Sequence, residues 1–199
     1  MQNKLIIGVT GGSGTGKGEV CKILAANGVY CIDADKIAHK VILKGNAAYD
    51  EVINAFGAGI IGYDGEISRK ILGEIVFENK GKLDILSSIV HKWVDKECFG
   101  IITSTKEKIF AIDAAAIIEA DMHKKMDYLI GVFALFETRI ERITARDGIA
   151  KEAAIKRINS QMTEAELKMY IDYEIDNNLT LEILKQKVNN IFLEIMRIR

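Results

Sequence analysis

At 199 residues, 49% of them apolar, the chain is long enough to bury one good core and to carry a small appended subdomain. Its 27 Lys and Arg against 28 Asp and Glu leave a formal charge of -1, which excludes a broad basic field for nucleic acid or an acidic membrane surface, so any polyanion must be held by a local site. Cys21, Cys31 and Cys98 lack the C-x-x-C spacing of zinc or redox sites, no apolar stretch is long enough to span a bilayer, and Met1 to Lys4 lacks a signal-peptide layout; the expectation is a reduced, cytoplasmic protein without nucleic-acid or membrane partners.

The first predicted element is a strand, Leu5–Val9, which flows into Thr10-Gly11-Gly12-Ser13-Gly14-Thr15-Gly16-Lys17 and then a helical stretch, Glu19–Leu24. A glycine-rich turn can serve tight strand-to-helix packing alone. The spacing Gly11-x4-Gly16-Lys17 in strand-loop-helix context points instead to a phosphate-binding loop, whose successive N–H groups wrap an anion at the positive end of the helix while Lys17 reaches the β- and γ-phosphates. The residues expected on the nucleotide are Gly12, Ser13, Gly14, Thr15, Gly16, Lys17, Gly18 and Glu19. The pattern normally closes on a Ser or Thr that binds Mg²⁺, but here Gly18 and Glu19 follow the lysine.

Further apolar runs at Val29–Ile32, Ile109–Ile112, Tyr128–Phe133 and Tyr173–Ile175 alternate with helical patterns. The fold class expected is α/β, a parallel sheet with helices on both faces that follows a phosphate-loop NTPase-type strand-loop-helix, to which the Tyr173–Ile175 run would add a fifth strand. Residues 36–108 are too many for one crossover and read as short helices separated by Gly45, Gly57–Gly62, Gly65 and Gly81, an inserted helical subdomain that would bind a second substrate. Residues 137–169, dense in Arg, Lys and Glu, read as a helical lid, leaving 1–35, 109–136 and 170–199 as the nucleotide-binding core. Leu181 to Ile198 places apolar residues at helical spacing and is expected to pack on the sheet.

In such a sheet, ligands lie beyond the carboxyl ends of the strands, which directs attention to Asp33, Asp35 and Asp113. Phosphoryl transfer needs a carboxylate to take the acceptor's proton, and Asp35 is the preferred base, its bland alternative being an N-cap of the next helix. Asp113 closes an apolar strand in the arrangement that holds Mg²⁺, usually through water. Arg139, Arg142 and Arg146 recur at steps of three and four, hence on one helical face, as a phosphate clamp or as a solvated row paired with Glu137 and Glu141. Arg69, His91 and Lys92 are candidates for the second substrate, or ordinary structural and surface groups.

From end to end the chain resembles the dephospho-CoA kinase family. The likeness runs through Gly8–Lys17, Ile32-Asp33-Ala34-Asp35-Lys36-Ile37-Ala38, Phe56-Gly57, Asp64-Gly65 with Arg69, Val76-Phe77 and Ile89-Val90-His91. It continues through Asp113 with Glu119, Arg142 with Arg146-Asp147-Gly148, Arg157 with Gln161, and Ile175-Asp176-Asn177-Asn178. The resemblance implies a five-stranded core with a helical substrate domain and a lid, and phosphorylation of the ribose 3′-hydroxyl of dephospho-CoA by ATP. It implies Asp35 as general base, Lys17 and the loop amides on ATP, Arg142 and Arg146 in the lid, Arg142 counted as catalytic, and Asn177 near the adenine. Asp33, Arg69, His91 and Asp113 are the residues expected to bind the acceptor. The family carries Ser or Thr in place of Gly18 and prolines in place of Lys92 and Ala115. Mg²⁺ is then expected on ATP oxygens, waters and Asp113, with Glu19 as an additional ligand through water. The expected assembly is a monomer or small homo-oligomer. A kinase of another small-molecule acceptor, or a nucleotide-binding regulator that lost catalysis with the hydroxyl, are the alternative readings.

Overall fold

The opening apolar run forms β1 (Leu5–Thr10), buried at every position but Ile6. Burial on both faces is what a central strand of a helix-covered sheet demands, and β1 lies between β3 (Ile109–Asp113) and β4 (Tyr128–Phe133), parallel to both. β2 (Tyr30–Asp33) and β5 (Tyr173–Asp176) complete the order β2-β3-β1-β4-β5. All five expected runs become strands, with Asp33 and Asp113 as the last residues of theirs rather than the first residues beyond them. The chain leaves β1 for one edge of the sheet and later crosses from β3 to β4 on the other side, so a switch point opens at the carboxyl end of β1.

The computed structural model describes residues 4–77 and 79–198; Met1 to Asn3 of the expected leaderless start and the Phe77 side chain lie outside the described residues. The chain divides into two units, one running to Ile32 and again from Lys106, the other Asp33–Thr105. In the first, α1 (Lys17–Ala26) packs against α9 (Leu181–Ile198), and Val20, Leu24, Val188 and Ile195 share a buried cluster with Ile7, Val9, Ile130 and Ile175. The expected lid segment is not a separate unit. It contributes α6 (Phe136–Asp147), α7 (Lys151–Asn159) and α8 (Glu164–Leu167) to the first unit, α6 and α7 closing on each other through Ile140, Ile143, Ala154 and Ile158.

The second unit is helical and bounded by Asp33 and Thr105, where the expected insertion was 36–108. α2 (Ala34–Val41), α3 (Tyr49–Phe56) and α4 (Arg69–Phe77) each pack on α5 (Lys80–Ser104). The expectation of short helices fails at α5, which runs unbroken for 25 residues. Asn79 caps it by accepting from the Lys82 N–H at 3.1 Å, so Gly81 falls in the first turn, where no i−4 hydrogen bond depends on it. No helix of the described residues is long and apolar enough to cross a membrane.

Candidate active site

The switch point is filled by the glycine-rich loop. Gly16 is the N-cap of α1 at φ 98°, a left-handed conformation that strains any side chain, and a Cβ there would lie 2.2 Å from Asn177 Nδ2. No side chain caps α1, so the first-turn amides of Lys17 and Gly18 have no intrahelical acceptor and add to the helix dipole as anion donors. Lys17 Nζ curls back to donate to the Gly11 carbonyl at 2.9 Å, which holds the ammonium over the loop. Thr15, fully buried, stiffens the turn by donating from its hydroxyl to the Gly12 carbonyl at 2.9 Å.

Three side chains hold the loop by its carbonyls. Arg139 Nε donates to Ser13 O at 2.9 Å, Arg142 Nη1 to Gly14 O and Thr15 O at 3.3 Å each, and Asn177 Nδ2 to Thr15 O at 2.8 Å. Arg142 Nη2 also donates to the Asn177 carbonyl at 3.1 Å, tying α6 to the turn after β5. A peptide plane whose carbonyl is pulled one way turns the following N–H the other way, so these bonds point the Gly14 and Gly16 amides away from the three side chains. Burial draws the Arg139 guanidinium below its ordinary pKa, as befits a cation half withdrawn from water.

Arg142, expected to act on the phosphates, bonds the loop from its carbonyl side. Arg146 does not reach the loop; its Nε and Nη2 fork onto Asp147 at 2.7 and 3.0 Å, and Arg157 joins the same carboxylate. It shares a face with Arg142 but lies about 6 Å further along the helix axis. Asn177, expected near adenine, is buried and props the loop through its side-chain amide. Glu19, expected as a metal ligand, pairs with Lys22 at 2.9 Å on the surface of α1. Reading Arg139 merely as part of a row missed its contact with Ser13, and Gln161 had no assigned role at all. Its Oε1 accepts from Ser13 N at 2.8 Å across 148 residues, a separation that no local pattern signals.

In the second unit, Asp33 is the N-cap of α2, accepting from the Lys36 N–H at 2.8 Å and pairing with Lys36 Nζ at 2.8 Å. Its carboxylate, expected on the acceptor, is engaged with the first turn of that helix. The bland alternative for Asp35 also falls, because Asp33 is the cap and Asp35 is an exposed residue of the first turn. Arg69 opens α4 and is exposed, while His91 is half-buried on α5. Lys92 is engaged by both carboxylate oxygens of Glu51, at 2.8 and 2.7 Å.

Asp113 ends β3 opposite Val9, and a Cβ built on Gly18 would lie 3.9 Å from its Oδ2, so this carboxylate borders the start of α1. Among the described residues no group of three or more His, Cys, Asp or Glu could hold a metal unaided. One carboxylate beside a phosphate cradle fits Mg²⁺, which usually takes one or two carboxylates together with phosphate oxygens and water. Cys21 of α1 and Cys31 of β2 lie in mutual hydrogen-bond contact. That contact, with burial and the Asp113 charge, holds the Cys21 thiol well above the ordinary range, while the same bond lowers Cys31. All three cysteines are free thiols.

The sequence matches the family described as dephospho-CoA kinase over residues 5–182. A dephospho-CoA kinase of Aquifex aeolicus is 36% identical over 192 residues, covering 96% of this chain and 97% of its own. One from Fusobacterium nucleatum is 39% identical over 184 residues, covering 92% and 95%. The solved structure of a dephospho-CoA kinase from Campylobacter jejuni matches with a TM-score of 0.66 at 27% identity, covering 96% of each chain.

Proposed function

Because the chain belongs to the dephospho-CoA kinase family, we propose that it transfers the γ-phosphoryl group of ATP to the ribose 3′-hydroxyl of dephospho-CoA, giving coenzyme A and ADP. The observation that carries this reading is the glycine loop, with Lys17 folded over it and Arg139, Arg142 and Asn177 fixing its carbonyls. Such a cradle suits a polyphosphate, and most of phosphoryl transfer is positioning and charge stabilisation.

In this mechanism the amides of Gly12 to Gly18 and the Lys17 ammonium hold the phosphates, Lys17 leaving the Gly11 carbonyl for the β- and γ-oxygens. Asp35 accepts the proton of the acceptor hydroxyl as its oxygen bonds to the γ-phosphorus and the bond from that phosphorus to the departing ADP oxygen breaks. Asp35 is suited to this because its carboxylate is exposed and the capping role falls to Asp33. Arg142 acts as a positioning residue through the loop. Arg69 and His91 are assigned to the acceptor, and Asp113 would hold Mg²⁺, which when bound neutralises charge on the phosphoryl oxygens. We place the protein in the cytoplasm, where ATP and a reduced thiol substrate are available.

The test is to incubate purified protein with ATP, Mg²⁺ and dephospho-CoA and to look for coenzyme A by mass. An Asp35→Asn variant should keep its ATP affinity and lose about a hundredfold or more in turnover, the usual worth of a general base. Full activity in that variant would remove Asp35 as the base; no coenzyme A from the unaltered protein would overturn the reading as a whole.

A further inference from the structure

One N–H of the phosphate loop is already taken. Ser13 N donates to Gln161 Oε1 at 2.8 Å, and the same oxygen receives Arg139 Nη2 at 3.4 Å. Arg139 closes the cycle by donating from Nε to the Ser13 carbonyl. The side chain lies flush on the loop, for a Cβ on Gly12 would stand 3.3 Å from Gln161 Oε1 and 2.1 Å from Arg139 Nη2. Gln161 itself sits in the joint between α7 and α8, on a half-buried stretch with Met162, so its contact is neither core packing nor part of either helix.

A carboxamide oxygen flanked by a loop amide and a guanidinium has the surroundings a phosphoryl oxygen would seek. We propose that Gln161 is a plug that competes with a polyphosphate for the Ser13 amide and is displaced by it, so that nucleotide occupancy is transmitted to the joint between α7 and α8. Displacement is favoured because a phosphate oxygen carries full charge, and charge-assisted hydrogen bonds are roughly twice as strong as neutral ones. Arg139 does not have to leave with it, since its Nε bond is to the Ser13 carbonyl. The plug sets a threshold that only an anion of sufficient charge crosses.

This inference rests on the loop being the nucleotide site, and the experiment separates the two claims. Calorimetric titration with ATP, and with adenosine as a probe lacking phosphate, is run on the unaltered protein, Gln161→Ala and Gln161→Glu. Removing the plug should tighten ATP binding about threefold to tenfold, the worth of one net hydrogen bond, and leave adenosine unchanged. Gln161→Glu replaces the neutral oxygen with a charged one facing the same amide and Arg139, and should weaken ATP binding below that of the unaltered protein. A side chain that merely braced the loop would give the opposite sign in Gln161→Ala; unchanged or weaker ATP binding there, or tighter binding in Gln161→Glu, overturns the plug. In the unaltered protein, the Gln161 side-chain amide resonances should move on adding ATP and stay put on adding adenosine; their failing to move with ATP overturns it equally. Absence of ATP binding by the unaltered protein would take the functional reading down along with the plug.

Discussion

Gly18 and Gly16 sit two positions apart and tolerate very different substitutions. At Gly16 a Cβ would collide with Asn177 at 2.2 Å, whereas at Gly18 it would rest in ordinary contact, 3.9 Å from Asp113 Oδ2. A serine fits at Gly18 and brings a hydroxyl oxygen to the side of the loop where the Asp113 carboxylate already stands. Gly18→Ser should therefore lower the Mg²⁺ concentration needed for half-maximal activity several-fold, and lower the Mg²⁺ needed to support ATP binding in a thermal-shift assay without acceptor. A requirement that stays level or rises in both assays would count against Asp113 and Gly18 sharing a metal environment. The loop residues were legible in sequence because they are contiguous and each backbone demand falls on a neighbour. Arg139 and Gln161 were not, because what matters about them is which distant atom they touch.

The α6 and α7 pair is joined by Asp147, which takes Arg146 from its own helix and Arg157 from the next. Hydrogen bonding and charge, first from Arg146 and then from Arg157, hold this carboxyl at about 2, against 3.8 for an unperturbed one. A carboxyl with a lower pKa in the folded state than in the unfolded chain adds stability that is complete above about pH 4 and drains away as pH falls toward about 2. Thermal melts should find Asp147→Asn less stable than the unaltered protein at neutral pH, with the gap constant down to about pH 4 and closing by about pH 2. A gap independent of pH would show that Asp147 contributes packing rather than charge. The apolar seam of Ile140, Ile143, Ala154 and Ile158 carries no titrating group, so the helix pair should outlast its ion pair. That seam is what makes the arginine row selective, since burying one face of α6 leaves Arg139 and Arg142 to meet the loop while Arg146 turns to Asp147.

Two units within one chain predict two unfolding transitions, and Trp93, the single tryptophan, reports on the helical one alone. Leu184 of α9 is 3% exposed in the sheet unit, and Leu184→Ala should cost about 2–5 kcal/mol there. The expected result is an earlier loss of circular-dichroism signal in denaturant with the Trp93 emission midpoint unmoved; a joint shift of both would mean that the units unfold as one. Strand runs, the phosphate loop and the family were readable from residues alone, because alternation of apolar stretches with helical periods and a glycine-lysine spacing are local properties of the chain. The continuous α5 through Gly81, the capping role of Asp33, the bonds of Asn177 and Arg142 to loop carbonyls, and the seat of Gln161 on Ser13 came only with the fold. Each depends on which groups compete for one hydrogen-bond partner once segments far apart in the chain are packed together, and that competition has no signature in linear spacing.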